Sequence, residues 1–462
     1  MRALLIATYE MGRQPFGLAS PAAWLRAAGW DVACADVSRE RLDSDRVRTA
    51  DLIAFHLPMH TATRLALPLI ERVRRLNEAA RLCAYGLYAP LNAEALRAAG
   101  VQDVLGGEFE EDLTAIANGL FAKAAGPFPS AAGPSGPGGT PVLGPGARLP
   151  RIHFLAPDRS GLPPLTKYAT LQMPGGARRF VGYTEASRGC RHLCRHCPIV
   201  PIYNGQFRIV QHEVVLQDIA AQVEAGAEHI TFGDPDFFNG PTHAMRIVEA
   251  LHAAHPSISY DVTIKVEHLL HQRSLLPRLR ETGCAFVTSA VESIDDDVLA
   301  LLGKGHTRED FVECVGVCRE AGVTLVPTFV AFHPWITLES YCDLLDTIAG
   351  LRLIDHVAPI QLAIRLLIPA GSRLLEVASV RALVEGFDQR TLTHRWTHPD
   401  RRVDELQQEI ASLVGVRLTG DRRAVFEEIS ALAHLRAGVP RPHTRPARDR
   451  ATVPYLNEPW YC

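Results

Sequence analysis

Over the first 122 residues, short apolar runs alternate with stretches of helical periodicity. The apolar runs predict strands at Leu4–Thr8, Asp31–Asp36, Leu52–Leu57, Leu82–Tyr85 and Asp103–Leu105. Helices are expected between them at Pro21–Ala28, Leu67–Asn77, Leu91–Ala99 and Phe109–Leu120. Gly29 and Gly100 stop two of these helices, and Pro68 falls in a first turn, where proline is tolerated. Such alternation predicts a doubly wound parallel sheet. Ligands of these sheets lie at the carboxyl ends of the strands. Here that means the loops Tyr9–Gly17, His56–Thr61, Gly86–Pro90 and Gly106–Glu108.

The pattern breaks at residues 124–150, where 14 of 27 residues are Gly or Pro. That composition cannot bury a core and reads as a linker. Alternation resumes with strands expected at Phe180–Ala186, His229–Gly233, Ser259–Val266, Ala285–Ala290, Thr324–Phe329 and Gln361–Leu367. Helices such as Glu213–Ala225, His243–Ala254 and Arg308–Ala321 separate them. Six such units are too few for a full eight-stranded barrel, so a partial (β/α)6 barrel is expected, with its chemistry at the carboxyl ends of the strands. Helices at Val403–Leu413 and Arg423–Leu435 form a small helical tail. The whole is an α/β chain divided at 1–122 (Rossmann-type sheet), 123–178 (linker and lead-in), 179–380 (barrel) and 381–462 (tail).

Composition narrows the chemistry. With 47% hydrophobic and 21% charged residues, the 462-residue chain has an ordinary globular balance. A net charge of −3 gives no basic field for nucleic acid. No apolar run reaches the roughly 18 residues that span a bilayer. Neither a membrane nor a nucleic-acid partner is expected. The start is too short for a signal-peptide core, so a cytoplasmic location and reduced thiols are expected. Lysine is rare, with 4 among 48 basic residues.

The sharpest signal is Arg188-Gly-Cys190-Arg-His-Leu-Cys194-Arg-His-Cys197-Pro198, directly after the first barrel strand. Three thiolates on one short loop suit a cuboidal iron–sulfur cluster with one iron left free of protein. Gly189 would allow close backbone approach to the sulfides. Arg188, Arg191 and Arg195 would offset the cluster's negative charge. A zinc site completed by His192 or His196 is the competing assignment, although zinc sites usually show a second pair of ligands downstream.

The cysteine loop and the motifs on later strands resemble the radical S-adenosylmethionine (SAM) superfamily over residues 179–375. The resemblance implies that Cys190, Cys194 and Cys197 hold a 4Fe–4S cluster, and that SAM binds its open iron. Gly233-Asp234-Pro235-Asp236 stands where the family's Gly-Gly-Glu motif meets the SAM amino group. It departs from that triplet, which leaves an Asx-turn as the other use of Asp234. Glu292, Ser293 and Lys304 stand where the family contacts the ribose and carboxylate of SAM. Strand alternation would turn Lys265 and Glu267 into the barrel mouth, and Arg365 would hold an acidic substrate.

The N-terminal unit is similar to the cobalamin-binding-like sheet that precedes many such barrels, and Gly106-Gly107-Glu108 matches its Gly-Glu turn. The Asp-x-His-x-x-Gly signature is absent, so cobalamin is carried as a possible cofactor only. The final Pro459-Trp460-Tyr461-Cys462 resembles the start of the Cys-Cys-Ala-Glu-Pro or Cys-selenocysteine-Ala-Glu-Pro tail of one radical SAM subgroup. That would make Cys462 the first member of a Cys–selenocysteine pair, its partner codon read as a stop. The expected activity is reductive SAM cleavage followed by radical modification of a small-molecule substrate. Methyl transfer, or aminocarboxypropyl transfer to a soft acceptor such as arsenic, are its two versions. Flavodoxin or ferredoxin would supply electrons. The alternative from a different class is a non-catalytic iron–sulfur or corrinoid-binding redox protein.

Overall fold

The computed structural model describes residues 1–124, 151–417, 421–441 and 453–457. The expected linker over 125–150 and the terminal Trp460, Tyr461 and Cys462 lie outside the described residues.

The first unit runs β1 (Arg2–Ala7), α1 (Phe16–Ala27), β2 (Asp31–Asp36), α2 (Ser44–Thr49), β3 (Leu52–His56), α3 (His60–Leu76), β4 (Arg81–Tyr85), α4 (Ala93–Ala98), β5 (Asp103–Leu105) and α5 (Glu110–Ala124). All five strands are parallel, in the order β2-β1-β3-β4-β5. Strands covered on both faces are apolar throughout, and every residue of β3, Leu-Ile-Ala-Phe-His, is buried. One face packs on α2, α3 and α4 through Val47, Ile70, Val73 and Leu96. The other packs on α1 and α5 through Leu18, Ala22, Leu113 and Ala117. Helix α3 begins earlier than Leu67 because Ala62, Ala66, Ile70 and Val73 already form one buried stripe. Strand order reverses between β1 and β3, which opens a crevice at their carboxyl ends.

A lead-in over 151–169 ties this sheet to the next. Arg159 is bonded at once to Asp218, Gln14 and the Tyr183 carbonyl. The Ala169 N–H donates to the Gly12 carbonyl at 2.8 Å.

The second sheet is built from β6 (Thr170–Gln172), β7 (Arg178–Thr184), a hairpin of β8 (Ser187–Gly189) and β9 (Phe207–Ile209) with α6 (Val200–Tyr203) between its strands, α7 (His212–Glu224), β10 (His229–Phe232), α8 (Pro241–Ala254), β11 (Ser259–Thr263), α9 (Val266–His271), α10 (Leu276–Glu281), β12 (Cys284–Glu292), α11 (Asp296–Leu302), α12 (Arg308–Glu320), β13 (Leu325–Phe329) and α13 (Leu338–Gly350). Beyond them lie α14 (Ala378–Leu383), the hairpin β14 (Val384–Asp388) with β15 (Thr393–Trp396), then α15 (Arg401–Val416), α16 (Arg422–Ala437) and β16 (Tyr455–Leu456). Seven strands pair in the order β13-β12-β11-β10-β7-β6-β16. The five from β13 to β7 are parallel; β6 and β16 add antiparallel edges. The result is a curled half-barrel.

Two expectations need correction. The strand expected at Gln361–Leu367 is absent, because Pro359–Leu362 forms a 3-10 turn. Only a bridge between Phe332 and Arg365 continues the curl. The strand expected to reach Val266 stops at Thr263, and Lys265 precedes the first turn of α9. Among the described residues, no helix is long and apolar enough to cross a membrane.

Candidate active site at the cysteine loop

The cysteine loop is anchored at both ends. At its root, Asp234 arrives from the end of β10. Its Oδ1 accepts the Ser187 hydroxyl at 2.5 Å, and its Oδ2 accepts the Ala186 N–H at 2.9 Å. Burial pushes this carboxyl up to about 7. Gly233 is needed for space, since a Cβ there would lie 1.8 Å from the Tyr183 hydroxyl oxygen. Gly189 has φ +75°, and a Cβ would lie 2.3 Å from the Tyr203 ring. The close approach at Gly189 is therefore to Tyr203.

At the far end, Arg195 donates to the carbonyls of Ala300 and Leu301, and its N–H to that of Leu302. A cation at the last turn of α11 also suits the helix dipole. Helix α11 stops at Gly303, in the left-handed conformation, which turns the chain so that Lys304 is buried. Strand β12 ends on an irregular register with Glu292 at φ +71°. This unusual backbone delivers the Glu292 carboxylate to His196 Nε2 at 3.1 Å and to Lys304 Nζ at 3.5 Å. Burial raises the Glu292 carboxyl, but Lys304 and His196 more than reverse this and hold it at about 2. Lys265 Nζ donates to the Lys304 carbonyl at 2.7 Å and lies 3.5 Å from Glu267. His306 sits beside both lysines. Burial, then their charge, lowers it to about 4, and both its ring nitrogens lack hydrogen-bond partners.

Cys190, Cys194 and Cys197 are all free. Burial, reinforced by Cys194 and Cys190, pushes the Cys197 thiol up to about 12. Cys190 is also raised, again mainly by burial. Such thiols hold their protons until a metal takes their place. Three soft sulfur donors on one anchored loop fit an iron–sulfur cluster.

Not every expected residue faces this site. Arg365 binds Asp404 at 2.5 Å and the Trp396 carbonyl, and lies 3.6 Å over the Trp396 ring. It fastens the C-terminal region, so the structure gives no support to its holding an acidic substrate. Arg188 is paired with carboxylates. Its guanidinium is enclosed by Glu108, Glu110 and Glu185, with the Phe154 ring 4.9 Å away. Both oxygens of Asp234 are engaged at the loop's root. Asp236 is fully buried beside His192 and His268. Ser293 Oγ accepts the Asp295 N–H and, with Glu292 and His333, lines a 250 Å³ cavity.

Two features escaped sequence reading. The Arg188 cluster joins residues 80 positions apart, beyond any local pattern. Within the barrel, Asp261 Oδ1 accepts from Thr231, and His229 lies between Asp261 and Ser259. Polar residues inside otherwise apolar strands were the available signal. Asp261, Thr231, Thr263, Thr288, Gln361 and Arg422 line a 270 Å³ lumen that Tyr455 and Leu456 also border. A 340 Å³ cavity lies between the two sheets, where Glu10, His56 and Phe109 face Arg188, Gly189 and Asp234.

Residues 184–348, which carry this loop and the parallel strands after β7, match the profile of the radical SAM superfamily. The half-barrel is a radical SAM domain. This superfamily uses a 4Fe–4S cluster and SAM. The full two-sheet arrangement is similar to the cobalamin-dependent SAM radical enzyme OxsB, solved with aqua-cobalamin and SAM bound. The TM-score is 0.68 and the identity 13%, covering 94% of this chain and 71% of that one. It is also similar to the radical SAM methyltransferase TsrM from Kitasatospora setae, solved with cobalamin and a 4Fe–4S cluster (TM-score 0.56, 17% identity, 76% of this chain and 70% of that one). The N-terminal sheet thus has a cobalamin-binding-like fold. Among curated proteins, a tRNA-2-methylthio-N(6)-dimethylallyladenosine synthase of Moorella thermoacetica is 27% identical over 197 residues. That match covers 38% of this chain and 41% of the relative, so this chain spans well under two thirds of that protein's length.

Proposed function

We propose that this chain is a radical SAM enzyme that cleaves SAM at a cluster held by Cys190, Cys194 and Cys197 and modifies a small molecule in the barrel lumen. The observation that carries the reading is the trio of free thiols on a loop fixed at its root by Asp234 and at its far end by Arg195. When bound, the cluster supplies the electron that breaks a carbon–sulfur bond of SAM. The protein's own contribution is orientation and exclusion of water. Lys304 has donors to spare for the SAM carboxylate, and Glu292 and Ser293 suit ribose hydroxyls. The turn over Gly233–Asp236 offers backbone carbonyls to the SAM amino group, while Asp234 keeps that turn tied to the loop. Lys265 supports the Lys304 backbone and acts on SAM through it. The lumen that Asp261, Thr231 and Gln361 line is the substrate chamber.

A corrinoid held between the sheets would enter the 340 Å³ cavity where Glu10, His56 and Phe109 face Arg188, Gly189 and Asp234, the rest of it lying outside the cleft. A flavodoxin- or ferredoxin-type donor fits the electron requirement.

The test is anaerobic reconstitution with iron and sulfide, followed by dithionite and SAM. The expected result is about four irons per chain and release of 5′-deoxyadenosine or methylthioadenosine. A fully loaded cluster with no SAM turnover under any reductant would favour a redox carrier. Metal analysis of the same preparation decides whether cobalt is present.

A further inference from the structure

Beside the cysteine loop lies a second constellation of ligand atoms. Cys190 Sγ, a ring nitrogen of His192 and a carboxylate oxygen of Asp236 all fall within 4.8 Å of one another. His192 Nε2 is 3.5 Å from Asp236 Oδ2, and His268 Nδ1 is 2.7 Å from the same oxygen. The two imidazoles lie 4.8 Å apart, centre to centre. Asp236 is fully buried. Its Oδ1 caps the turn at Phe238, which fixes the direction of Oδ2. Asn239, in that turn, accepts the Arg191 N–H and lies 3.9 Å from Cys190 Sγ, so loop and turn are held together.

Asp236 Oδ2, His192 Nε2 and His268 Nδ1 converge on one another at off-line angles, and among the described residues no other partner satisfies them. Buried polar atoms without partners call for an explanation. Lone pairs converging on one point are what a cation requires. One thiolate, one imidazole and one carboxylate form a donor set of zinc type. Bond lengths of about 2.0 to 2.3 Å in a tetrahedral shell separate neighbouring ligand atoms by roughly 3.3 to 3.8 Å. The 3.5 Å between His192 and Asp236 matches that edge. The 2.7 Å contact is too short for it, which makes His268 the partner that orients the carboxylate.

We propose that the cluster-free chain binds one zinc-class divalent cation through Cys190, His192 and Asp236, with water in the fourth position. Binding replaces the Cys190 thiol proton, which leaves to solvent, and involves no redox change. Because Cys190 would serve both metals, the ion and the cluster exclude each other. The proposal shares Cys190 with the cluster reading and the turn of Asp236 with the SAM reading, and the experiment separates them.

Full-length chain, stripped of metal under anaerobic conditions, is titrated with Co(II) and then Zn(II). One cobalt per chain is expected, with a thiolate charge-transfer band that zinc abolishes. C190S, H192A and D236N should each weaken binding by at least about tenfold, while C194S and C197S keep it. His192 lies on the loop, so H192A tests the site even where D236N disturbs folding. Chain loaded with iron and sulfide should take up no cobalt. Equal loss in C194S and C197S would place the ion among the three thiols and overturn the proposal. So would absence of binding, or undiminished binding to the loaded chain. H192A that still assembles the cluster, yet no longer binds cobalt, would support the proposal and leave the cluster assignment intact.

Discussion

Two buried charge clusters flank the cysteine loop, and they are built on opposite balances. At the root, one guanidinium, Arg188, faces three carboxylates from both units. Burial pushes Glu108 up to about 7 and also raises Glu185, while Glu110 is held low, burial being outweighed by Arg188. Every Arg188 nitrogen has a partner. At the far end, Lys304, Lys265, His196 and His306 surround Glu292 and Glu267, and His306 has both nitrogens unpartnered. A saturated cluster fastens; a cluster with spare donors can receive an anion. The difference fits joining of the two units at the first and, on the function proposed above, ligand recognition at the second.

The largest expected effect breaks the first cluster. Arg188→Leu leaves three carboxylates buried without their cation and should cost about 3 to 5 kcal/mol, read by urea denaturation. A loss under about 1 kcal/mol would show that the interface does not depend on this cation. The second test is pH. The folded carboxyl of Glu108 is raised from 4.5 to about 7, so its contribution is full below pH 4.5 and fades as pH rises through 7. Glu108→Gln should flatten that fall, by at most on the order of 3 kcal/mol. Equal slopes for the two proteins between pH 4.5 and 7.5 would remove Glu108 from the account.

A third variant sharpens the contrast at the other end. Lys304→Met should weaken SAM binding to the reconstituted protein by roughly 10- to 100-fold, as expected for a charged hydrogen bond of about 1.5 to 3 kcal/mol, with cluster content unchanged. Unchanged SAM affinity would exclude Lys304 from recognition. The smallest effect is expected at Arg365, whose pair with Asp404 is partly exposed. Arg365→Ala should lower stability by about 1 kcal/mol and leave SAM turnover as it was. A large fall in turnover with stability intact would return Arg365 to the active site.

What sequence made visible follows the range of the interactions. The strands of the first sheet, short and apolar on both faces, were legible to within a residue or two, as at Asp31–Asp36. The cysteine loop was legible because its three cysteines are close in sequence. Gln361–Leu367 misled because an apolar run reads as a strand, whereas Pro359 at the start of the turn favours a 3-10 conformation. Arg365 misled because its partners, Trp396 and Asp404, lie some thirty or more positions away. His268 was invisible as a partner of Asp236 because only the curl of the sheet brings α9 to the end of β10.

The short strand β16 has a consequence for biosynthesis. It supplies the seventh position of the barrel sheet, and Leu456 packs with Leu171, Val181 and Phe286. Synthesis must therefore pass Leu456 before β6 gains its outer neighbour. Nascent chains paused upstream of codon 453 would present β6 as a bare edge, open to pairing with a neighbour.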